Sequence, residues 1–130
     1  EDGLSTEWWV LRMLVDASAQ QNHWMVELLN RQNTDGGWGW ITGDPSDALA
    51  TGLALYGLRE AGVMSDHRAI VRAQRFLLAT QNGNGSWSVN STKAVNKTEP
   101  IPTSVFLGSA WATIGLLKTL PNREMAATDT

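Results

Sequence analysis

The chain has 130 residues, enough for one domain with a real core. Ten Lys and Arg against thirteen Asp and Glu give a net charge of −3, and their scatter leaves no basic face for nucleic acid and no polybasic membrane anchor. Cysteine is absent, which excludes disulfides, thiolate catalysis and Cys-ligated zinc.

Taken in chain order, the sequence predicts five helices. The first runs from about Ser5 to Ala19, with Ser5 or Thr6 able to accept the free N–H groups of its first turn. Trp8 and Trp9 are adjacent on it and cannot share a face, so one of them is expected to mark a surface that packs against a preceding repeat. The second, about Asn22 to Asn33, lines up Trp24, Met25, Leu28 and Leu29, with Glu27 and Arg31 as an i, i+4 pair elsewhere. Gly36-Gly37 stops it, and Trp40 extends the turn. The third begins near Pro45-Ser46-Asp47, a proline-plus-acid start, and ends at Glu60-Ala61-Gly62. The fourth, Asp66 to about Thr80, exposes Arg68, Arg72 and Arg75 and turns Ala69, Ala73, Phe76 and Leu77 inward. The fifth, about Thr103 to Leu120, is stopped by Pro121. Asn122 to Thr130 has no apolar period and reads as a loose tail.

The helices are of two kinds. Ala48–Leu58 and Thr103–Leu117 carry no charge, which predicts helices buried on all sides. Both runs are too short, and too rich in Gly, Ser and Thr, to span a bilayer. The amphipathic second and fourth helices can cover one side of them. The two apolar helices are therefore expected as neighbours, with the Trp24 and Phe76 helices on the other side.

A repeat organises these elements. Gln32-Asn-Thr-Asp-Gly36-Gly37-Trp38 recurs as Gln81-Asn-Gly-Asn-Gly85-Ser-Trp87. Each copy follows an amphipathic helix and precedes an apolar one, which is the signature of a repeated supersecondary unit. A Gln beside a helix end offers donors and an acceptor to unpaired backbone groups, and a Trp over the turn excludes water. Gln32, Gly36, Gly37, Trp38, Gln81, Gly85 and Trp87 are accordingly read as structural.

Alternating helix types joined by Gln-x-x-x-x-x-Trp turns resemble the squalene/hopene cyclase and protein prenyltransferase repeat family. The resemblance covers Trp24 to Leu120 and implies an all-α, (α/α) toroid or barrel, of which this chain holds a part. Inner helices wall an apolar cavity, outer helices wrap them, and the Gln and Trp of each "QW motif" stack and tie helix ends together. It further implies a division into 1–20 (a helix of a preceding repeat), 21–63 and 64–120 (one motif each), and 121–130 (the tail). Five helices are fewer than a closed barrel needs, so the chain is read as a C-terminal fragment. Its apolar edges predict association with the remaining repeats or with itself.

Two departures bear on chemistry. Cyclases that protonate an alkene open an inner helix with Asp-x-Asp-Asp-Thr-Ala, the middle Asp being the acid. The corresponding stretch here is Asp44-Pro-Ser46-Asp47-Ala48-Leu49. Ser46 stands in the acid's place, and a hydroxyl cannot protonate an alkene at neutral pH. Asp44, Ser46 and Asp47 are read instead as helix-capping residues, ionised where they carry a carboxylate. The prenyltransferase branch binds zinc through Asp, Cys and His. No Cys exists here, and His23 and His67 lack a partner at ligand spacing, so no metal or cofactor is expected. Trp111, in the middle of an uncharged helix, is the candidate cavity residue, since the cyclases use aromatic faces to stabilise carbocations.

The function expected from sequence is a cyclase-like fragment that is itself non-catalytic and presents an apolar surface to a terpenoid-like small molecule. Two alternatives stand beside it: part of a functional cyclase whose acid lies elsewhere in a longer protein, and a structural or protein-binding helical array. No nucleic acid or membrane-spanning role is expected. The chain opens on Glu1, so the lack of a visible leader assigns no compartment.

Overall fold

Five α-helices carry the regular structure in the computed structural model, which describes residues 3–16, 20–91 and 99–120. They are α1 (Thr6–Val15), α2 (Gln21–Asn30), α3 (Ala48–Glu60), α4 (Arg68–Thr80) and α5 (Pro102–Lys118). No strand occurs among those residues, only isolated bridges such as Ser5 to Ile41 and Trp38 to Asp47. The fold is all-α, as the repeat predicts.

The helix ends follow local chemistry. Ser5 caps α1, its Oγ accepting from the Trp8 N–H at 3.0 Å. Helix α2 stops at Asn30, three residues before the sequence-based end, because the Arg31 N–H closes on the Leu28 and Leu29 carbonyls. The Glu27–Arg31 pair forms at 2.6 Å, and Arg31 also lies 3.7 Å over the Trp9 ring, joining α2 to α1. Helix α4 starts at Arg68 with His67 as its cap, Nδ1 accepting from the Ala69 N–H. Helix α5 starts on Pro102, whose missing N–H would have found no partner in a first turn. Helix α1 ends at Val15, short of the predicted Ala19, with Asp16 as its C-cap donating to the Arg12 carbonyl; residues 17–19, the Pro121 stop and the tail lie outside the described residues.

Helices α1, α3 and α5 lie side by side with α3 in the middle, while α2 packs on α1 and α4 on α3. The two charge-free helices are therefore neighbours. One apolar cluster runs through both layers, including Val10, Met13, Leu28, Trp38, Leu55, Leu58, Ile70, Leu77 and Trp87. Glycines set how closely the inner helices approach. A methyl group at Gly52 would collide with the Trp111 backbone of α5, and one at Gly115 would meet the Gly52 carbonyl oxygen at 2.8 Å. Gly57 meets Val10 and Met13 of α1 in the same way. Of the glycines that dilute these helices as membrane spans, Gly52 and Gly115 form the contact between them.

One expectation fails. Both uncharged helices were expected to be buried all round, and only α3 is nearly so. Helix α5 buries one stripe, Ser104, Gly108, Ala112 and Gly115, and leaves Phe106, Leu107, Ile114 and Leu117 exposed. It stands at the edge of the inner layer, with an inner neighbour on one side among the described residues.

Candidate functional site

The two Gln-to-Trp turns have the same internal wiring. In the first, the Gly36 N–H donates to the Asn33 carbonyl at 3.0 Å and the Asn33 N–H to the Gly37 carbonyl at 2.8 Å. In the second, Gly85 and Asn82 do the same with Asn82 and Ser86, at 2.9 and 2.8 Å. Gly36 and Gly85 sit at φ of 96° and 90°, where a side chain is strained. Trp38 and Trp87 are buried, and each indole N–H donates back to a helix carbonyl, Leu28 at 2.8 Å and Leu77 at 2.9 Å. Their backbone N–H groups donate forward to hydroxyls on the following inner helix, Thr51 at 3.0 Å and Ser109 at 2.9 Å. Each Trp thus pins an outer helix end to an inner helix.

The glutamines differ. Gln32 Nε2 donates to the Gly36 carbonyl at 2.8 Å and across to the Ala69 carbonyl of α4 at 2.9 Å, while its Oε1 accepts from Arg72 at 3.4 Å. Gln81 Nε2 makes the turn bond alone among these, to Gly85 at 2.9 Å, and is exposed. Arg72 is a correction: the sequence places it in solvent, but its guanidinium donates to the Asn33 and Thr34 carbonyls and is half-buried. The Ser in place of the second glycine also has a reason. A side chain at Gly37 would strike Ser46 and Thr51, whereas the Ser86 hydroxyl has room to donate to Asn84 Oδ1 at 2.6 Å.

Sequence reading missed three positions that both turns share. Asn33 and Asn82 carry the turn bonds, Asp35 and Asn84 accept from the N–H two residues on (at 3.0 Å in each turn), and Thr51 and Ser109 receive the Trp N–H. The signal was present for the first two pairs, which recur at the same offset from the Gln; Thr51 and Ser109 follow their Trp by 13 and 22 residues and correspond only in space.

At the Asp44–Asp47 segment the cap is Asp47, not Ser46. Asp47 Oδ1 accepts from the Ala50 N–H at 2.7 Å, and its own N–H donates to the Trp38 carbonyl at 3.0 Å. Ser46 turns away from the helix, donating to Asp35 Oδ1 at 2.6 Å and accepting from Asn33 Nδ2 at 2.8 Å. It belongs to the turn. Asn33 also donates to the Asp44 carbonyl at 3.0 Å, so Asp44 and Ser46 are held through one amide. The Asp47 carboxyl is pushed up to about 6 by burial, with the Asp44 charge adding to it, against the lowering effect of backbone N–H groups at Ala50, Leu49 and Trp40. The helix start was expected to favour the anion; desolvation outweighs it here.

Trp111 is half-buried on α5 and meets Tyr56 of α3 edge-on, ring centroids 5.8 Å apart. At about 3.6 residues per turn, Leu49, Leu53 and Tyr56 fall on the side of α3 opposite Thr51, Leu55 and Leu58, which face the outer helices. Leu107, Trp111 and Ile114 form the equivalent strip on α5, with Leu107 and Ile114 exposed and Trp111 and Tyr56 half-buried, while Leu49 and Leu53 are buried behind them. The inner layer thus presents an apolar face away from the outer helices, closed at one end by the Lys118–Glu60 ion pair at 3.1 Å. A separate depression of about 560 Å³ lies between Met25 and Leu29 of α2 and the Val63–His67 connection, remote from that face. No group of three or more His, Asp and Glu able to hold a metal occurs among the described residues. No described helix is long and apolar enough to cross a membrane.

Comparison with known proteins agrees with this geometry. The family model of the squalene-hopene cyclase N-terminal domain matches residues 4–95. The cycloartenol synthase of Dictyostelium discoideum is 47% identical over 60 residues, covering 45% of this chain and 8% of that protein. The squalene–hopene cyclase of Bradyrhizobium diazoefficiens is 36% identical over 97 residues, covering 62% of this chain and 14% of that protein. The aligned part of the chain therefore spans less than a sixth of the length of either relative. No solved structure gives a significant match. The matching model describes an N-terminal domain, which replaces the C-terminal placement expected from the sequence. With its paired Gln-to-Trp turns and its inner and outer helices, the chain belongs to the squalene-hopene cyclase N-terminal domain family.

Proposed function

We propose that this chain supplies scaffold and cavity wall to a terpenoid cyclase-like protein and does not itself carry the acid that starts cyclisation. The observation that supports this most directly is the anchoring of Ser46. In the family's Asp-x-Asp-Asp pattern that position bears the acid; here it bears a hydroxyl bonded to Asn33 and Asp35. Asp47, the nearest carboxyl with a raised pKa, is engaged in capping α3. The contribution to function is the apolar face of Tyr56, Leu107, Trp111 and Ile114, backed by buried Leu49 and Leu53, whose chemistry suits a hydrocarbon ligand and whose rings can face developing positive charge. The names of the two relatives favour a second reading at the level of a longer protein: an active cyclase whose acid lies outside these residues. The division into 1–20, 21–63, 64–120 and 121–130 is proposed on the same basis.

Incubation of the chain with detergent-dispersed squalene, followed by mass spectrometry, tests both halves. No cyclised product is expected, while squalene is expected to quench Trp fluorescence. Ile114→Asp, at an exposed position of the apolar face, should abolish the quenching, and Leu78→Asp, exposed on α4, should leave it intact. A cyclic triterpene would overturn the scaffold assignment. Quenching unaffected by Ile114→Asp would overturn the assignment of the face.

A further inference from the structure

The second turn contains two Asn-Gly steps, Asn82-Gly83 and Asn84-Gly85, where the first turn has Asn33-Thr34 and Asp35-Gly36. An asparagine followed by glycine is open to attack on its own side-chain amide, because glycine places no side chain beside the main-chain nitrogen that attacks. The two steps are held differently. At Asn84-Gly85 the Gly85 N–H donates to the Asn82 carbonyl at 2.9 Å, and Asn84 Oδ1 accepts from the Ser86 N–H at 3.0 Å and the Ser86 hydroxyl at 2.6 Å. Both the attacking nitrogen and its target are engaged. At Asn82-Gly83 the Gly83 N–H donates to nothing among the described residues, and Gly83 is exposed with open space around it. The Asn82 amide reaches only the Ser86 and Ser88 hydroxyls, at 3.3 and 3.4 Å. Its counterpart Asn33 is half-buried and tied to the Asp44 carbonyl at 3.0 Å and to Ser46 at 2.8 Å. Thr34 also brings a branched side chain beside the attacking nitrogen there.

We propose that Asn82 is a site of spontaneous modification, converted with time to aspartate and isoaspartate, and that the fold directs this reaction away from Asn84. Solvent hydroxide removes the Gly83 amide proton, and the nitrogen bonds to Asn82 Cγ. The Cγ–Nδ2 bond then breaks, the nitrogen leaving as ammonia with a proton from water, and a succinimide ring remains. Water opens the ring at either carbonyl. One opening gives aspartate at position 82; the other gives isoaspartate, whose main chain runs through the side-chain carbons and is one atom longer. That atom falls between the two bonds that close the turn, from the Asn82 N–H to the Ser86 carbonyl and from the Gly85 N–H to the Asn82 carbonyl. Trp87 follows directly, its N–H donating to Ser109 of α5, so the modification loosens the tie between α4 and α5 and leaves the first turn intact. The two steps share one exposed turn, so anything else packed against it acts on both alike.

Incubation of the folded chain at mildly alkaline pH, followed by tryptic digestion and fragment mass spectrometry, locates each converted amide against an unincubated control. Both steps lie on the one peptide between Arg75 and Lys93. Attack at Asn84 requires a local opening that breaks three bonds, each slowing it about fivefold. Asn82 is therefore expected to convert at least about tenfold faster than Asn84. In urea, where the turn is lost, the two rates should become similar. Gly83→Ala fits its open site and should suppress conversion at Asn82 with unchanged circular dichroism. The converted chain, separated on its added negative charge, should have a lower urea midpoint. Equal conversion at both steps in the folded chain, or faster conversion at Asn84, overturns the proposal. So does an Asn82 amide that survives folded while the unfolded chain converts. The same Asn82 preference in urea would assign the selectivity to sequence and overturn the role of the fold. Conversion undiminished in Gly83→Ala overturns the attack by the Gly83 nitrogen, and an unchanged midpoint overturns the loosening of the turn.

Discussion

Equivalent glutamines in the two turns carry unequal loads, because among the described residues only Gln32 has a following outer helix to hold. Gln32 bonds its turn and α4, whereas Gln81 bonds its turn and is exposed. With a typical partly buried hydrogen bond contributing about 1 kcal/mol, Gln32→Ala is expected to cost about 1.5–3 kcal/mol and Gln81→Ala under about 1. Urea midpoints of the two variants measure this; equal losses would mean the bond to Ala69 contributes nothing. Asp47 is the residue where burial and capping oppose each other. Its carboxyl titrates near 6 when folded against 3.8 as its ordinary value, so between these limits the folded chain binds more protons than the unfolded one. The contribution of Asp47 to stability is therefore full below about 4 and is lost as pH rises through about 6, by at most about 3 kcal/mol and less for a half-buried group. Asp47→Asn keeps a capping oxygen without the charge. Thermal melts from pH 4 to 7 should fall less steeply with pH in Asp47→Asn than in the wild type, and parallel curves would refute the account.

The unit of packing is the helix pair, and its tolerance is set by side-chain size at the crossing. Helix α3 meets α5 through Gly52 and Gly115, with backbone atoms in contact. Alanine is a better helix former than glycine by about 1 kcal/mol, so Gly52→Ala would stabilise an isolated α3. In the folded chain the added methyl meets main chain that cannot rotate aside, and overpacking of this kind costs about 1–3 kcal/mol or more. Gly52→Ala should lower the urea midpoint, while Gly83→Ala, where a side chain meets nothing, should not. An unchanged midpoint in Gly52→Ala would show that the two helices can move apart freely. The same reasoning explains why the outer helices tolerate larger residues. They reach the inner layer through large side chains, Leu28, Ile70 and Leu77 among them, with Trp38 and Trp87 pinning their ends.

At the scale of the whole molecule, an inner layer of three helices is covered by α2 and α4 on one side and presents an apolar face and two apolar edges elsewhere. Soluble monomers rarely expose connected apolar surface beyond a few hundred Å². An environment-sensitive dye such as ANS should therefore bind the folded chain at low micromolar concentration, and absence of binding would contradict the exposed faces. The repeat, the two helix types and the motif turns were legible in the sequence, because helix period, glycine punctuation and side-chain charge are local properties of neighbouring residues. The cap shows the limit of that reading: Asp44, Ser46 and Asp47 were all read as capping residues, and the N-cap is Asp47 because Ser46 is held by Asn33, thirteen residues away. Burial of Arg72, the raised pKa of Asp47 and the open side of α5 were likewise decided in space. Each depends on which helix lies alongside, and a charge-free sequence states that a helix can be buried without stating whether a neighbour is there to bury it.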